Sequence, residues 1–122
     1  MSISMQNHGG YTEKYDNFDE KARMLGINYP DVNQYLSLIH ESDSALEYLI
    51  SYFEKVDDPV EIVFFGDHQP SLSSSFYPYL NGKGLSGLTL SELENLYTVP
   101  FFIWTNYDSG KESVELTSLN YL

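Results

Sequence analysis

The chain of 122 residues contains no cysteine, which excludes disulfides, zinc–thiolate centres and cysteine nucleophiles. It is also poor in basic residues: 6 Lys and Arg stand against 18 Asp and Glu, a formal net charge of −12. A phosphate-tracking surface needs clustered Lys and Arg, so nucleic acid is excluded as a partner. Docking on an anionic membrane through a polybasic patch is excluded for the same reason. No stretch approaches the roughly 18 consecutive apolar residues of a membrane span, and the densest apolar run, 99–104, contains Pro100. Residues 1–10 have neither a basic n-region nor an apolar h-region, so they do not read as a signal peptide. Repeats are absent, and the only biased tract is the short serine patch at 71–75.

What remains is 42% apolar and 16% aromatic, too rich for a disordered acidic tail and sufficient for a packed core. The length fits one domain. Residues 2–7 are short and suit the end of a strand, broken by Gly9-Gly10. Residues 11–29 are mixed, with weak helical periodicity over 17–25. Asp31 then reads as an N-cap. Val32, Tyr35, Leu36, Ile39, Leu46, Leu49, Ile50, Phe53 and Val56 follow in helical steps, predicting one long helix from 31 to about 55 with an apolar stripe. Asp57-Asp58-Pro59 stops it. Residues 61–65, apolar on both faces, predict a buried strand. Residues 66–87 read as loop, and 89–97 as a short helix with Thr89 and Glu92 spaced as a capping box. Residues 99–104 predict a second strand and 106–110 a turn. The pattern is α/β, with parallel strands expected.

Chemistry concentrates at three places. Phe65-Gly66-Asp67-His68-Gln69-Pro70 follows a strand, and ligands gather at the carboxyl ends of strands in open α/β sheets. A carboxylate beside an imidazole suits Mn²⁺, Zn²⁺ or Fe²⁺, while a loop whose Asp caps a turn is the plain alternative. Gln6-Asn7-His8-Gly9-Gly10 could hold an oxyanion or a sugar hydroxyl, or could simply be a terminal tail. Asp43, on the apolar stripe, needs a partner if buried and reads as structural or as the edge of a site. His40 reads as a partly exposed helix residue and Trp104 as core. Glu13, Asp16, Asp19 and Glu20 read as a solvated face.

Met5-Gln6-Asn7-His8-Gly9, the helix with Tyr35-Leu36 and Asp43-Ser44-Ala45-Leu46, IVFFGDHQP at 62–70 and VPFFIWTN at 99–106 occur in this order. Order and wording resemble the C-terminal part of the sulfatase-like catalytic domain of the alkaline phosphatase superfamily. The similarity is strongest to bacterial lipoteichoic-acid synthases and related phosphoglycerol transferases. Gln-Asn-His combined with Asp-His-Gln-Pro favours that branch over true sulfatases, which more often continue Asp-His-Gly.

The resemblance implies a partial alkaline-phosphatase-like sandwich, a mostly parallel sheet with flanking helices, of which residues 1–122 form a single segment. It implies Asp67 and His68 as two metal ligands and His8 as a contact to the phosphoglycerol headgroup. Gln6 and Asn7 share that motif without a firm role. Gly10 departs from the pattern, since many relatives carry Pro there. The implied cofactor is a divalent metal, Mn foremost with Mg or Zn as alternatives, held weakly by two ligands alone.

The threonine nucleophile, or the modified Cys or Ser of sulfatases, is expected upstream of Gln6, together with an acidic metal ligand. In the complete enzyme a metal-activated threonine would attack a phosphatidylglycerol headgroup, release diacylglycerol and pass the glycerophosphoryl group to a glycan or polymer acceptor. The resemblance places such an enzyme in the bacterial plasma membrane with an extracellular catalytic domain. This segment alone is expected to be soluble, inactive and prone to self-association through open strand edges. A sulfatase or phosphodiesterase segment, and a non-catalytic acidic α/β interaction module, are the competing expectations.

Overall fold

The computed structural model describes residues 2, 4–13 and 15–118. Helix α1 spans Pro30–Phe53, strand β1 Glu61–Phe65, helix α2 Phe76–Asn81, helix α3 Leu90–Asn95 and strand β2 Phe101–Thr105, with a 3₁₀ turn at Leu85–Gly87 before α3. The chain is therefore α/β, as the sequence pattern implies. Residues 2–7 begin no strand where they are described, and Ile3 of that stretch lies outside the described residues. Residues 17–25 form turns and irregular backbone instead of the weak helix the periodicity suggests.

Pro30 occupies the first turn of α1, where its fixed φ favours helix and its missing N–H costs nothing. Asp31 is thus inside the helix and not its N-cap. The reason is tertiary: its Oδ2 accepts the amide of Ser73 at 2.7 Å. Asn33 Oδ1 accepts the amide of Met24 at 2.9 Å. Ser37, almost wholly buried, accepts the amides of Lys21 and Ala22 at 3.0 Å each. The buried face of the first turns of α1 is therefore largely polar, because it supplies hydrogen bonds to irregular backbone lying across it. The apolar stripe beyond it is only partly covered, and Ile39 and Leu49 are exposed.

The C-terminus of α1 has no basic residue in its last turn. Asn106, just past β2, takes that role. Its Nδ2 donates to the carbonyls of Phe53 (3.2 Å), Val56 (2.9 Å) and Asp58 (2.9 Å), and its Oδ1 accepts the amide of Val60 at 2.8 Å. One side chain thus closes the helix end and fixes where β1 starts.

Strands β1 and β2 pair antiparallel, with Glu61 opposite Thr105, Val63 opposite Ile103 and Phe65 opposite Phe101. This corrects the parallel expectation for these two strands. Residues 66–100 do not cross over the sheet to restart beside Glu61; they return beside the end of β1, where Gly66 N–H donates to the Pro100 carbonyl at 3.2 Å. Phe64 and Phe102 stack at 5.2 Å on one face. On the other, Val63 and Ile103 are exposed, so β1 is not the doubly buried strand its composition predicts. A second small core joins Tyr29 at the foot of α1 to Phe76 of α2, edge to face at 5.2 Å.

Candidate functional site

Asp67 and His68 follow directly on β1, where the chain leaves the sheet at Gly66. Asp67 Oδ1 accepts the backbone N–H of His68 at 2.9 Å. His68 Nδ1 lies 2.9 Å from the Gln69 carbonyl oxygen, which can only accept, so Nδ1 carries the proton. That leaves Asp67 Oδ2 and His68 Nε2 as the open atoms, 3.6 Å apart and both well exposed. The Gln69 amide in turn donates to the Thr98 carbonyl, tying this loop to the approach to β2.

The pair fits two ligands of one divalent cation. Metal–ligand distances of about 2.0–2.2 Å place neighbouring ligands roughly 3–4 Å apart. A ligating histidine typically donates its other nitrogen to a carbonyl, which fixes the tautomer, and His68 does so. Among the described residues no third His, Asp or Glu joins them in a cluster.

His8 sits in a turn whose amide donates to the Met5 carbonyl at 3.1 Å, with its ring exposed. The turn is anchored through Asn7. Its backbone carbonyl accepts the Tyr11 hydroxyl at 2.7 Å, and its Oδ1 accepts the Ser42 hydroxyl of α1 at 3.0 Å. Tyr11 is buried and packs edge to face on Tyr35, also of α1, at 5.5 Å. Burial pushes the Tyr11 phenol up, with the Tyr35 ring hydroxyl and the Asp67 carboxylate adding to it. Gly10 has φ +112°, a conformation closed to Pro, so a Pro-bearing turn would take a different path.

Asp43 is exposed on α1, lining an open groove with Leu46, Glu47, Ile50 and Phe102. It therefore needs no buried partner, contrary to the expectation from its place on the stripe. His40 is exposed and Trp104 half-buried. No local pattern marks Tyr11, Ser42 or Thr98: Ser42 and Thr98 meet partners distant along the chain, and the Tyr11 hydroxyl reaches Asn7, four residues back, with its ring set against Tyr35 of α1.

A family model described as "Sulfatase" matches residues 1–122. The chain is similar to "Capsular polysaccharide biosynthesis protein RkpI" of Rhizobium meliloti (strain 1021), 40% identical over 76 residues, covering 62% of this chain and 12% of that protein. It is also similar to "Putative cyclic beta-1,2-glucan modification protein" of the same organism, 21% identical over 130 residues, covering 100% of this chain and 20% of that protein. The chain thus spans a small part of the length of the relatives it matches. No solved structure matches it significantly.

Proposed function

The chain belongs to the sulfatase family, and on that premise we propose that it is the later segment of a metal-dependent phosphoglycerol transferase with a glycan acceptor. The open Asp67 Oδ2 and His68 Nε2, 3.6 Å apart at the end of β1, carry this reading. In it, both hold a divalent cation, Mn²⁺ foremost, and His8 contacts the phosphoglycerol headgroup. The glycan acceptor is supported by the relatives' names, which refer to capsular polysaccharide biosynthesis and to cyclic beta-1,2-glucan modification. That favours a glycan over a lipoteichoic-acid polymer.

A cation at this position would offset the negative charge on the phosphoryl oxygens and activate an incoming oxygen nucleophile. Asp67 contributes the negative charge that attracts the cation, and its bond from the His68 amide aims Oδ2. His68 contributes a neutral nitrogen held in one tautomer by Gln69. His8, held by Asn7 and Tyr11, presents an imidazole able to donate to a phosphate oxygen or a glycerol hydroxyl. The nucleophile and the remaining ligands belong, in this proposal, to sequence preceding Gln6, anchored in a membrane. Among the described residues no helix is long and apolar enough to cross one.

The test is a protein spanning the relatives' length, given labelled phosphatidylglycerol, Mn²⁺ and a soluble glucan. Release of diacylglycerol with label on the glucan, lost on Asp67→Ala and strongly reduced on His8→Ala, is expected. Hydrolysis of an aryl sulfate with no phosphoglycerol transfer would overturn the transferase reading in favour of a sulfatase. Phosphodiester turnover by residues 1–122 alone would overturn the assignment of essential groups to preceding sequence.

A further inference from the structure

We propose that Tyr11 is the positioning residue for His8, locking the turn that carries it onto α1 through the Asn7 carbonyl. Three contacts converge on this turn. The Tyr11 hydroxyl donates to the Asn7 carbonyl at 2.7 Å, the Ser42 hydroxyl donates to Asn7 Oδ1 at 3.0 Å, and the Tyr11 ring stands on Tyr35 at 5.5 Å. Asn7 is thus held at both its main-chain and side-chain oxygens, one residue before His8.

The anchor is buried where the turn is exposed. Tyr11 is among the few buried apolar side chains of the described residues, whereas Gln6, His8, Gly9 and Gly10 are exposed. Glycines at 9 and 10 leave the backbone free to take many paths. Ordering it costs conformational entropy for each residue fixed, and a single hydrogen bond returns only part of that. Without the hydroxyl the His8 imidazole keeps its chemistry but loses its address. This inference rests on the reading of His8 as a headgroup contact, and it adds Tyr11, with Ser42 as its second arm, to the residues that shape the site.

Two variants of the 122-residue chain test it. Tyr11→Phe keeps the ring on Tyr35 and removes only the hydroxyl; Ser42→Ala cuts the other arm and leaves Tyr11 intact. Amide exchange by NMR is read at His8 and, as an internal control, at Gly66, whose amide is bonded to the Pro100 carbonyl at the end of the sheet. Line broadening of the His8 and His68 ring protons by Mn²⁺ alone is read in the same samples.

In either variant, His8 exchange rises roughly 5- to 10-fold, the fold-change expected from losing one hydrogen bond, while Gly66 is unchanged. Mn²⁺ broadens His68 equally in all three proteins, but His8 broadening falls several-fold in the variants. Unchanged His8 exchange in Tyr11→Phe overturns the proposal. Faster exchange at both His8 and Gly66 also overturns it, since Tyr11 is then a general core residue. Absence of His68 broadening in the parent chain overturns the metal reading instead, and the exchange data still decide the role of Tyr11.

Discussion

Asp67 Oδ2 and His68 Nε2 lie 3.6 Å apart with their other side-chain heteroatoms already engaged, Oδ1 by the His68 amide and Nδ1 by the Gln69 carbonyl. Two consecutive residues thus present a carboxylate oxygen and an imidazole nitrogen in a single open position. The 122-residue chain is expected to bind Mn²⁺ weakly and reversibly, because two protein ligands leave most of the shell to water. Titration followed by water-proton relaxation should show binding in the parent chain and its loss in His68→Ala and Asp67→Ala. Binding that survives both substitutions would place the cation elsewhere.

Asn106 is expected to matter more to stability than any other exposed or half-buried polar residue. Asn106→Ala removes the donors to three carbonyls and the acceptor for the Val60 amide, and should cost about 2–3 kcal/mol in denaturant unfolding. Asn106→Asp keeps the acceptor but sets a second carboxyl oxygen against the same carbonyls. A charge there is unfavourable, so the folded carboxyl pKa is raised. The variant is then best matched to the parent at acidic pH and loses stability as pH rises through that pKa. Equal pH dependence of Asn106→Asp and parent would contradict this geometry.

The parts of the fold legible in the sequence are those set by short-range patterns. Residues 61–65 are a strand because four β-favouring residues, Ile62 to Phe65, end at a glycine, and Thr89 with Glu92 forms a capping box because that spacing is local. The rule that ligands gather where strands end singles out Asp67 and His68, and the structure places both just past β1. Strand direction was not legible, since a period of two carries no polarity, and the returning path of residues 66–100 depends on Gly66 meeting Pro100. Asp31 was misread as a cap because its partner, Ser73, lies on another segment. Asn106 is illegible for the same reason, since the carbonyls it grips lie about fifty residues back, and Tyr11 because the ring that seats it, Tyr35, belongs to α1.

The capping box of α3 should respond to acid. Lys83 beside Glu92, with the backbone and side chain of Thr89, holds the Glu92 carboxyl down from 4.5 to about 2. A depressed carboxyl pKa contributes stability above its unfolded value and loses it as pH falls through the folded value. The N-terminus of α3 should therefore loosen between about pH 4.5 and 2. NMR titration should show the Thr89 amide moving with a midpoint near 2, shifting toward 4.5 in Lys83→Ala. A Thr89 midpoint already near 4.5 in the parent would mean the Lys83 contact does not form.

Gly66 connects the sheet to the candidate site, and its lack of a side chain is required by a close approach. A Cβ at this position would lie 3.2 Å from Val99 Cβ and 3.4 Å from its Cγ1. Val99 has little room to retreat, because Pro100 follows it and the Pro100 carbonyl accepts the Gly66 amide at 3.2 Å. Gly66→Ala should therefore force the two segments apart, outweighing the entropy gained in the unfolded chain, with a net loss of about 1–2 kcal/mol. The displacement reaches the site by a short route. Thr98, next to Val99, supplies the carbonyl that holds the Gln69 side chain, and the Gln69 carbonyl orients His68. Mn²⁺ binding should weaken in Gly66→Ala even under conditions where the protein remains fully folded. Unaltered binding and stability would show that the approach of Val99 to Gly66 is looser than 3.2 Å implies.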